Sequence, residues 1–173
     1  GGSQGSLFLN RSLPQALAIL RDAGIDVEIR HQAGVRWAEV VRTAYSDLKI
    51  EATVTAFLAQ PWSAMAEADL VVARSGALTV SELAASGRGA LLVPFAAAAG
   101  NHQEFNARSL ERAGGAVVLT EDAATPRSIA DALLELLGDT EILKRMGRNS
   151  RKMALPGAAA RIAQRILDVG GSP

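Results

Sequence analysis

The apolar run Ala68-Asp69-Leu70-Val71-Val72-Ala73 passes through Arg74-Ser75-Gly76 into Ala77-Leu78-Thr79-Val80-Ser81-Glu82. A short continuous apolar run reads as a buried parallel strand, and residues 78–86 read as a helix. A strand handed to a helix through a small glycine-containing turn restricts the fold to the α/β class. It also restricts where a ligand can sit. Open α/β sheets bind ligands outside the carboxyl ends of their strands. The helix N-terminus there offers unpaired N–H groups and a positive dipole end to an anion. Ser75, Gly76, Ala77, Leu78 and Thr79 form that candidate cradle. Glu82 lies within two turns of the helix start, where its carboxylate can accept two hydrogen bonds from a vicinal diol such as ribose. Diphosphate and ribose together describe a nucleotide. The plain alternative is a tight β-α turn with Glu82 solvated on the helix surface.

The 173 residues fit one domain with a real core. Eighteen basic and eighteen acidic residues cancel, so the chain as a whole lacks the positive footprint of a nucleic-acid binder. Cysteine is absent, which removes disulfides and thiolate metal sites and fits a cytosolic chain. Two histidines far apart, His31 and His102, do not make a metal cluster, and neither metal nor cofactor is expected. No apolar run approaches the ~18 residues of a membrane span, and no signal peptide is visible.

Strand and helix patterns alternate along the chain. Periodicity predicts a helix over 7–23, broken or restarted at Pro14 and ended by Gly24. Alternation predicts a strand over 26–31. A helix over 37–48 follows, with Trp37, Val40, Val41, Ala44 and Tyr45 at helical spacing. Then come a strand over 53–57, a short helix over 62–68, strand 70–73 and helix 78–86. Strand 90–94 closes at Pro94, residues 96–100 read as a loop, and 101–113 as a helix. Strand 116–119 and helix 128–137 precede a helix running to about Met153, capped by Asp139 or Thr140. A last helix spans about 158–169. The expected fold is α/β and Rossmann-like, a mostly parallel sheet with helices on both faces. A glycine turn like Gly1-Gly2-Ser3-Gln4-Gly5 normally follows a strand. None precedes it, so the first strand is expected to be missing, as in a fragment.

Other candidates have two readings each. Gly1-Gly2-Ser3-Gln4-Gly5 is either a phosphate or sugar cradle or a flexible start. Phe57-Leu58 is either an apolar slot for a flat base, whose edge a backbone N–H and C=O would read, or simply core. Gln103 and Asn106, three apart on one helix face, suit sugar hydroxyls, or else belong to a polar face behind an Asn101 cap. His102 is a polar group near that turn without an evident orienting carboxylate. His31 ends a strand, and its simpler reading is structural. Trp37 and Trp62 read as packing residues.

Taken in order, six segments resemble the C-terminal half of the MurG family. They are Gly1-Gly2-Ser3-Gln4-Gly5, His31-Gln32-Ala33-Gly34, Phe57-Leu58, the run from Arg74 to Glu82, Val93-Pro94-Phe95, and Asn101-His102-Gln103-Glu104-Phe105-Asn106-Ala107. The resemblance covers essentially the whole chain. Members of that family transfer N-acetylglucosamine from UDP-GlcNAc to lipid I, making lipid II for peptidoglycan. The resemblance implies a GT-B architecture, two Rossmann-like domains across a cleft, with residues 1–173 as the UDP-sugar donor domain. It implies Ser3 and Gln4 near the diphosphate, and Leu58 presenting backbone to uracil beside Phe57. Ala77, Leu78 and Thr79 would bind diphosphate and sugar, Glu82 the ribose, and Gln103 and Asn106 the sugar hydroxyls.

Two positions depart from the family pattern. Pro61-Trp62 stands where a methionine usually follows the Phe57-Leu58 position, and Gly100 where an acidic residue usually precedes Asn101. In the family the acceptor site, the membrane-facing patch and the candidate general base belong to the other half. The resemblance therefore implies a chain inactive by itself. Its intact enzyme would be cytoplasmic and peripheral on the inner face of the bacterial membrane, with UDP-GlcNAc and lipid I as partners. Two further readings stay open: a separate donor subunit of a two-chain UDP-GlcNAc transferase, and a non-catalytic nucleotide-sugar binding module.

Overall fold

A computed structural model describes residues 4–170. In chain order the elements are α1 (Leu7–Asp22), β1 (Arg30–Gln32), α2 (Ala38–Asp47), β2 (Thr53–Thr55), α3 (Pro61–Glu67), β3 (Leu70–Ala73) and α4 (Ala77–Ser86). They continue with β4 (Gly89–Leu92), α5 (His102–Arg112), β5 (Ala116–Val118), α6 (Pro126–Leu137), α7 (Thr140–Lys152) and α8 (Ala158–Gly170). The described strands form two sheets, β1-β2 and β3-β4-β5. All pairs are parallel, with Arg30 opposite Thr53, Leu70 opposite Gly89 and Ala90 opposite Ala116. Parallel neighbours need long crossovers. The helices between successive strands supply them.

β4 sits at the centre because it is apolar on both faces. Leu91 and Val93 pack with Leu9, Leu13 and Leu20 of α1 and Ile129, Leu133 and Leu136 of α6. Ala90 and Leu92 pack on the other face with Leu83 of α4 and Ala107 and Leu110 of α5. Successive side chains of a strand alternate between faces, so a run without polar residues requires a helix layer on each side. Burying each leucine contributes about 1.5–3 kcal/mol. A smaller core lies over β1 and β2, where Val41 and Tyr45 of α2 cover Ala33 and Val54.

Three local expectations change. α1 runs unbroken through Pro14, which is itself buried. The stripe Leu9, Leu13, Ala16 and Leu20 is buried along its whole length, and that burial outweighs the hydrogen bond a proline removes. The strand expected over 26–31 shortens to Arg30–Gln32, because β2 offers partners only from Thr53 to Thr55. The loop over 96–100 ends in a 3₁₀ turn, Ala99–Asn101, with Gly100 and Asn101 both left-handed.

The turn into α1 lies against the exit of β1. A Cβ on Gly5 would stand 1.9 Å from the Ala33 carbonyl oxygen, and one on Gly34 would stand 2.3 Å from the Gln4 carbonyl oxygen. Both residues have positive φ, 74° and 87°. Backbone meets backbone here, and no side chain can move aside. Gly5→Ala and Gly34→Ala should each lower folding stability by about 1–3 kcal/mol or more. Urea unfolding measures it, and a change within experimental error would refute the contact.

Candidate functional site

Each parallel strand delivers its exit loop to one end of its sheet. β3 ends at Ala73, and Arg74-Ser75-Gly76 turn the chain into α4. Ser75 is fully buried. Its Oγ donates to the Gln103 carbonyl at 2.7 Å, and Asn106 Nδ2 donates to the Ser75 carbonyl at 3.1 Å. Gln103 Oε1 accepts from the Phe95 N–H at 3.1 Å. Ser75, Gln103 and Asn106 are thus brought together, and these bonds lock the turn to α5 and to the loop after β4. Asn101 does not cap α5 with its side chain. Its Nδ2 donates to Glu104 instead.

Gly76 is the N-cap of α4, with φ −57° and no side-chain cap on the helix. A Cβ added there would meet nothing within 4 Å. The fold therefore makes no steric demand for glycine at this position, and a side chain placed there would enter open space. Ala77 and Leu78 are exposed, whereas Thr79 and Glu82 are half-buried. Burial pushes the Glu82 carboxyl above its ordinary pKa.

Arg74 has a role that reading the turn alone missed. Nε donates to Ser6 Oγ at 3.0 Å, and Nη1 to the carbonyls of Val93 and Pro94 at 3.1 and 3.0 Å. Nη2 pairs with Glu121 just beyond β5, and the two side chains are only 12% and 20% exposed. Phe8 and Phe95 both approach the guanidinium, with ring centroids 5.3 and 5.4 Å away. Glu121 also accepts from the Ala96 N–H at 2.9 Å. Burial alone would raise the Glu121 carboxyl. The Arg74 hydrogen bond, the Ala96 amide and the Arg74 charge outweigh it and hold the pKa below its ordinary value.

In the middle of β1, His31 is buried as the simpler reading had it. Asn10 Nδ2 donates to the Ala33 carbonyl at 2.9 Å, which leaves Asn10 Oδ1 to accept from His31 Nε2 at 3.0 Å. His31 Nδ1 then accepts from the Tyr45 hydroxyl at 3.0 Å. This chain of bonds supports the Gly5–Gly34 contact from below. Phe57 is 58% exposed and Trp62 54% exposed, so neither is core. The Leu58 N–H donates to Gln32 Oε1 at 3.2 Å. Gln4 is exposed at the turn into α1. Ser3 lies outside the described residues.

The opposite end of the molecule carries a cleft of about 760 Å³ lined by Asp26, Asp69, Arg88, Lys144, Arg148 and Arg151, among others. There Arg88 and Arg151 donate to the carbonyls of Ala66 and Ala85 at the ends of α3 and α4. Such cations cap helix C-termini. Among the described residues no group of three or more potential ligands could hold a metal ion. No helix there is long and apolar enough to cross a membrane.

The model of the glycosyltransferase family 28 C-terminal domain matches residues 1–162. The chain belongs to this family. A protein of Solibacter usitatus named UDP-N-acetylglucosamine–N-acetylmuramyl-(pentapeptide) pyrophosphoryl-undecaprenol N-acetylglucosamine transferase is 43% identical over 169 residues. The match covers 98% of this chain and 46% of that protein. A Sorangium cellulosum protein of the same name is 41% identical, over 100% of this chain and 43% of its own length. The crystal structure of Acinetobacter baumannii MurG superposes with a TM-score of 0.88 at 33% identity, covering 97% of this chain and 48% of that one. The glycosyltransferase VinC, at 21% identity and a TM-score of 0.68, shares the fold. The architecture is that of the C-terminal domain of GT-B glycosyltransferases. The chain spans just under half the length of the relatives it matches.

Two of the family domain's buried networks carry measurable consequences. Burial lowers the His31 pKa to about 4, from an ordinary 6.5. The folded state therefore prefers neutral imidazole. The resulting stability is fully present above pH 6.5 and is lost as pH falls from 6.5 through 4. Urea unfolding should show that loss, and His31→Gln should remove this part of the pH dependence. An unchanged slope in the variant would contradict it. Glu121→Ala strands Arg74 and the Ala96 N–H and should cost about 1.5–3 kcal/mol. Because the Glu121 pKa is depressed, its share of stability is present above 4.5 and is lost as pH falls through the lower folded value. The variant should lack that acid limb, read from unfolding midpoints between pH 5 and 3.

Proposed function

We propose that the chain is the donor-binding domain of an inverting glycosyltransferase. It holds UDP-GlcNAc while N-acetylglucosamine passes to lipid I, the undecaprenyl-pyrophosphoryl-linked N-acetylmuramyl pentapeptide, in peptidoglycan synthesis. The observation that carries this is Gly76, the N-cap of α4, where no side chain caps the helix and an added Cβ would meet open space, in a domain whose relatives bear that transferase name. Diphosphate sits over the N–H groups of Ala77, Leu78 and Thr79, with Gln4 and Ser3 alongside. Glu82 accepts both ribose hydroxyls. Phe57 flanks uracil, and the Leu58 backbone reads its edge. Ser75 and Gly76 shape the cradle, while Gln103 and Asn106, braced through Oε1 and Nδ2, offer the other atom of each amide, Gln103 Nε2 and Asn106 Oδ1, to the sugar.

An acceptor hydroxyl attacks the anomeric carbon as the bond to UDP breaks, with inversion. Charge develops on the leaving diphosphate. Fixed backbone amides and the dipole of α4 stabilise it without reorganising. The base that takes the acceptor proton is supplied from outside this chain, as is the acceptor site. The intact enzyme works at the inner face of the bacterial cell membrane, on which it is peripheral.

Calorimetric titration with UDP-GlcNAc, UDP, UDP-glucose and ADP tests the reading. Uridine ligands should bind more tightly than ADP, and UDP-GlcNAc more tightly than UDP-glucose. Equal binding of ADP would overturn the nucleotide assignment. Glu82→Ala should weaken UDP by about 1–3 kcal/mol, the cost of stranding a hydrogen-bonded group. Unchanged affinity would sink the ribose role. Gly76→Ala should unfold like the wild type yet bind UDP less well, because the added methyl enters the open volume.

A further inference from the structure

The two short strands β1 and β2 leave their sheet side by side, with Gln32 opposite Thr55. Three residues beyond Thr55, the half-buried N–H of Leu58 donates to Gln32 Oε1 at 3.2 Å. This is the N–H that, on the proposed reading, meets the edge of the base. A carboxamide oxygen and the 4-carbonyl of uracil are the same kind of acceptor, a planar carbonyl conjugated to nitrogen. One N–H cannot make a full, well-aligned bond to both.

We infer that Gln32 is a built-in surrogate for the base: its side-chain carbonyl holds the Leu58 N–H in the empty site and yields it to the uracil 4-carbonyl when a uridine nucleotide binds. The inference rests on the reading of Leu58 as the residue facing the base. Pairing in the empty site spares a half-buried donor the cost of going unsatisfied. It also ties the loop after β2 to the end of β1, with Phe57 exposed beside it. The consequence is a residue of the site that lowers affinity for the base. Base binding exchanges one hydrogen bond for another and gains only the difference.

Gln32→Met keeps the length of the side chain and removes the acceptor. UDP should bind this variant roughly three- to tenfold more tightly than the wild type, the ratio set by one net hydrogen bond. Gln32→Glu places a stronger acceptor on the same N–H and a negative charge near the base carbonyl. It should weaken UDP by at least about threefold. The amide resonance of Leu58 gives a readout that a structural role would not move. It should shift between free wild type and free Gln32→Met, then converge when both are saturated with UDP.

Equal or weaker binding of UDP by a folded Gln32→Met overturns the inference, as does Leu58 resonances that differ as much at saturation as in the free state. Wild-type affinities separate this failure from that of the underlying reading. If UDP binds no better than CDP, whose 4-amino group donates, the assignment of Leu58 to the base edge falls and the surrogate with it. If UDP is preferred and Gln32→Met does not tighten it, Leu58 keeps its role and only the surrogate falls.

Discussion

One guanidinium ties the carboxyl ends of the larger sheet together. Arg74 follows β3 and spends its donors on Ser6 before α1, on the carbonyls of Val93 and Pro94 after β4, and on Glu121 after β5. Ladder bonds end where the Val93 N–H donates to the Ala73 carbonyl and the Leu119 N–H to the Leu92 carbonyl, and each residue ordered beyond them costs about 1–2 kcal/mol of backbone entropy. A cation taken largely out of water is tolerable only if its donors find acceptors. The need to satisfy Arg74 therefore makes the loops converge. Lysine could not substitute, because a single ammonium on a flexible stem lacks the planar spread of donors that reaches three segments at once.

Convergence has a price for the side chains nearest the open space. Ser75 turns inward to Gln103, Asn106 reaches back to the Ser75 carbonyl, and Gln103 holds the Phe95 amide. What remains toward solvent is the start of α4, exposed at Ala77 and Leu78 and half-buried at Gly76, Thr79 and Glu82. The same division appears at β1 and β2. There Asn10, His31 and Tyr45 form a buried support for the Gly5–Gly34 contact, in which Gly34 is itself buried and Gly5 half-buried. In both places buried polar side chains hold a backbone turn in position. Such an arrangement suits an anionic ligand, since its donors are positioned before the ligand arrives.

This division also decides what the sequence could disclose. β3 was legible residue for residue, because Leu70–Ala73 is an apolar run bounded by charge on both sides. The turn after it was legible from glycine and from strand-to-helix order. The strand over 26–31 was drawn too long because alternation reports which side chains face the core but not where the partner strand stops. Pro14 misled because its local penalty is visible in sequence, whereas the burial that overrides it depends on α6. The Arg74–Glu121 pair joins residues 47 apart, and Asn10 and His31 lie 21 apart. No period of 2 or 3.6 carries such information. The one local trace was Asn10, a polar residue next to Leu9 within an apolar helix stripe. The kind of nucleotide was never legible in spacing; resemblance supplied it.

A cradle of this kind leaves one side of its ligand uncovered. Leu78 is 74% exposed and Phe105 69%, both at the carboxyl end of the larger sheet, and Phe57 is exposed after β2. On the proposed reading, UDP-GlcNAc rests on main-chain donors whose strength depends on excluding water, because an exposed hydrogen bond or charge interaction is weakened by competing solvent. Group transfer adds a second requirement, since a sugar activated in open solvent would hydrolyse. On that reading the domain would hold the leaving group and leave the anomeric carbon outside its own cover. Enclosure has to come from a surface closing over these apolar side chains, and that surface would also bring the acceptor and the base. Binding and chemistry then separate physically: the domain's own residues set affinity for the nucleotide, and closure sets the rate of transfer.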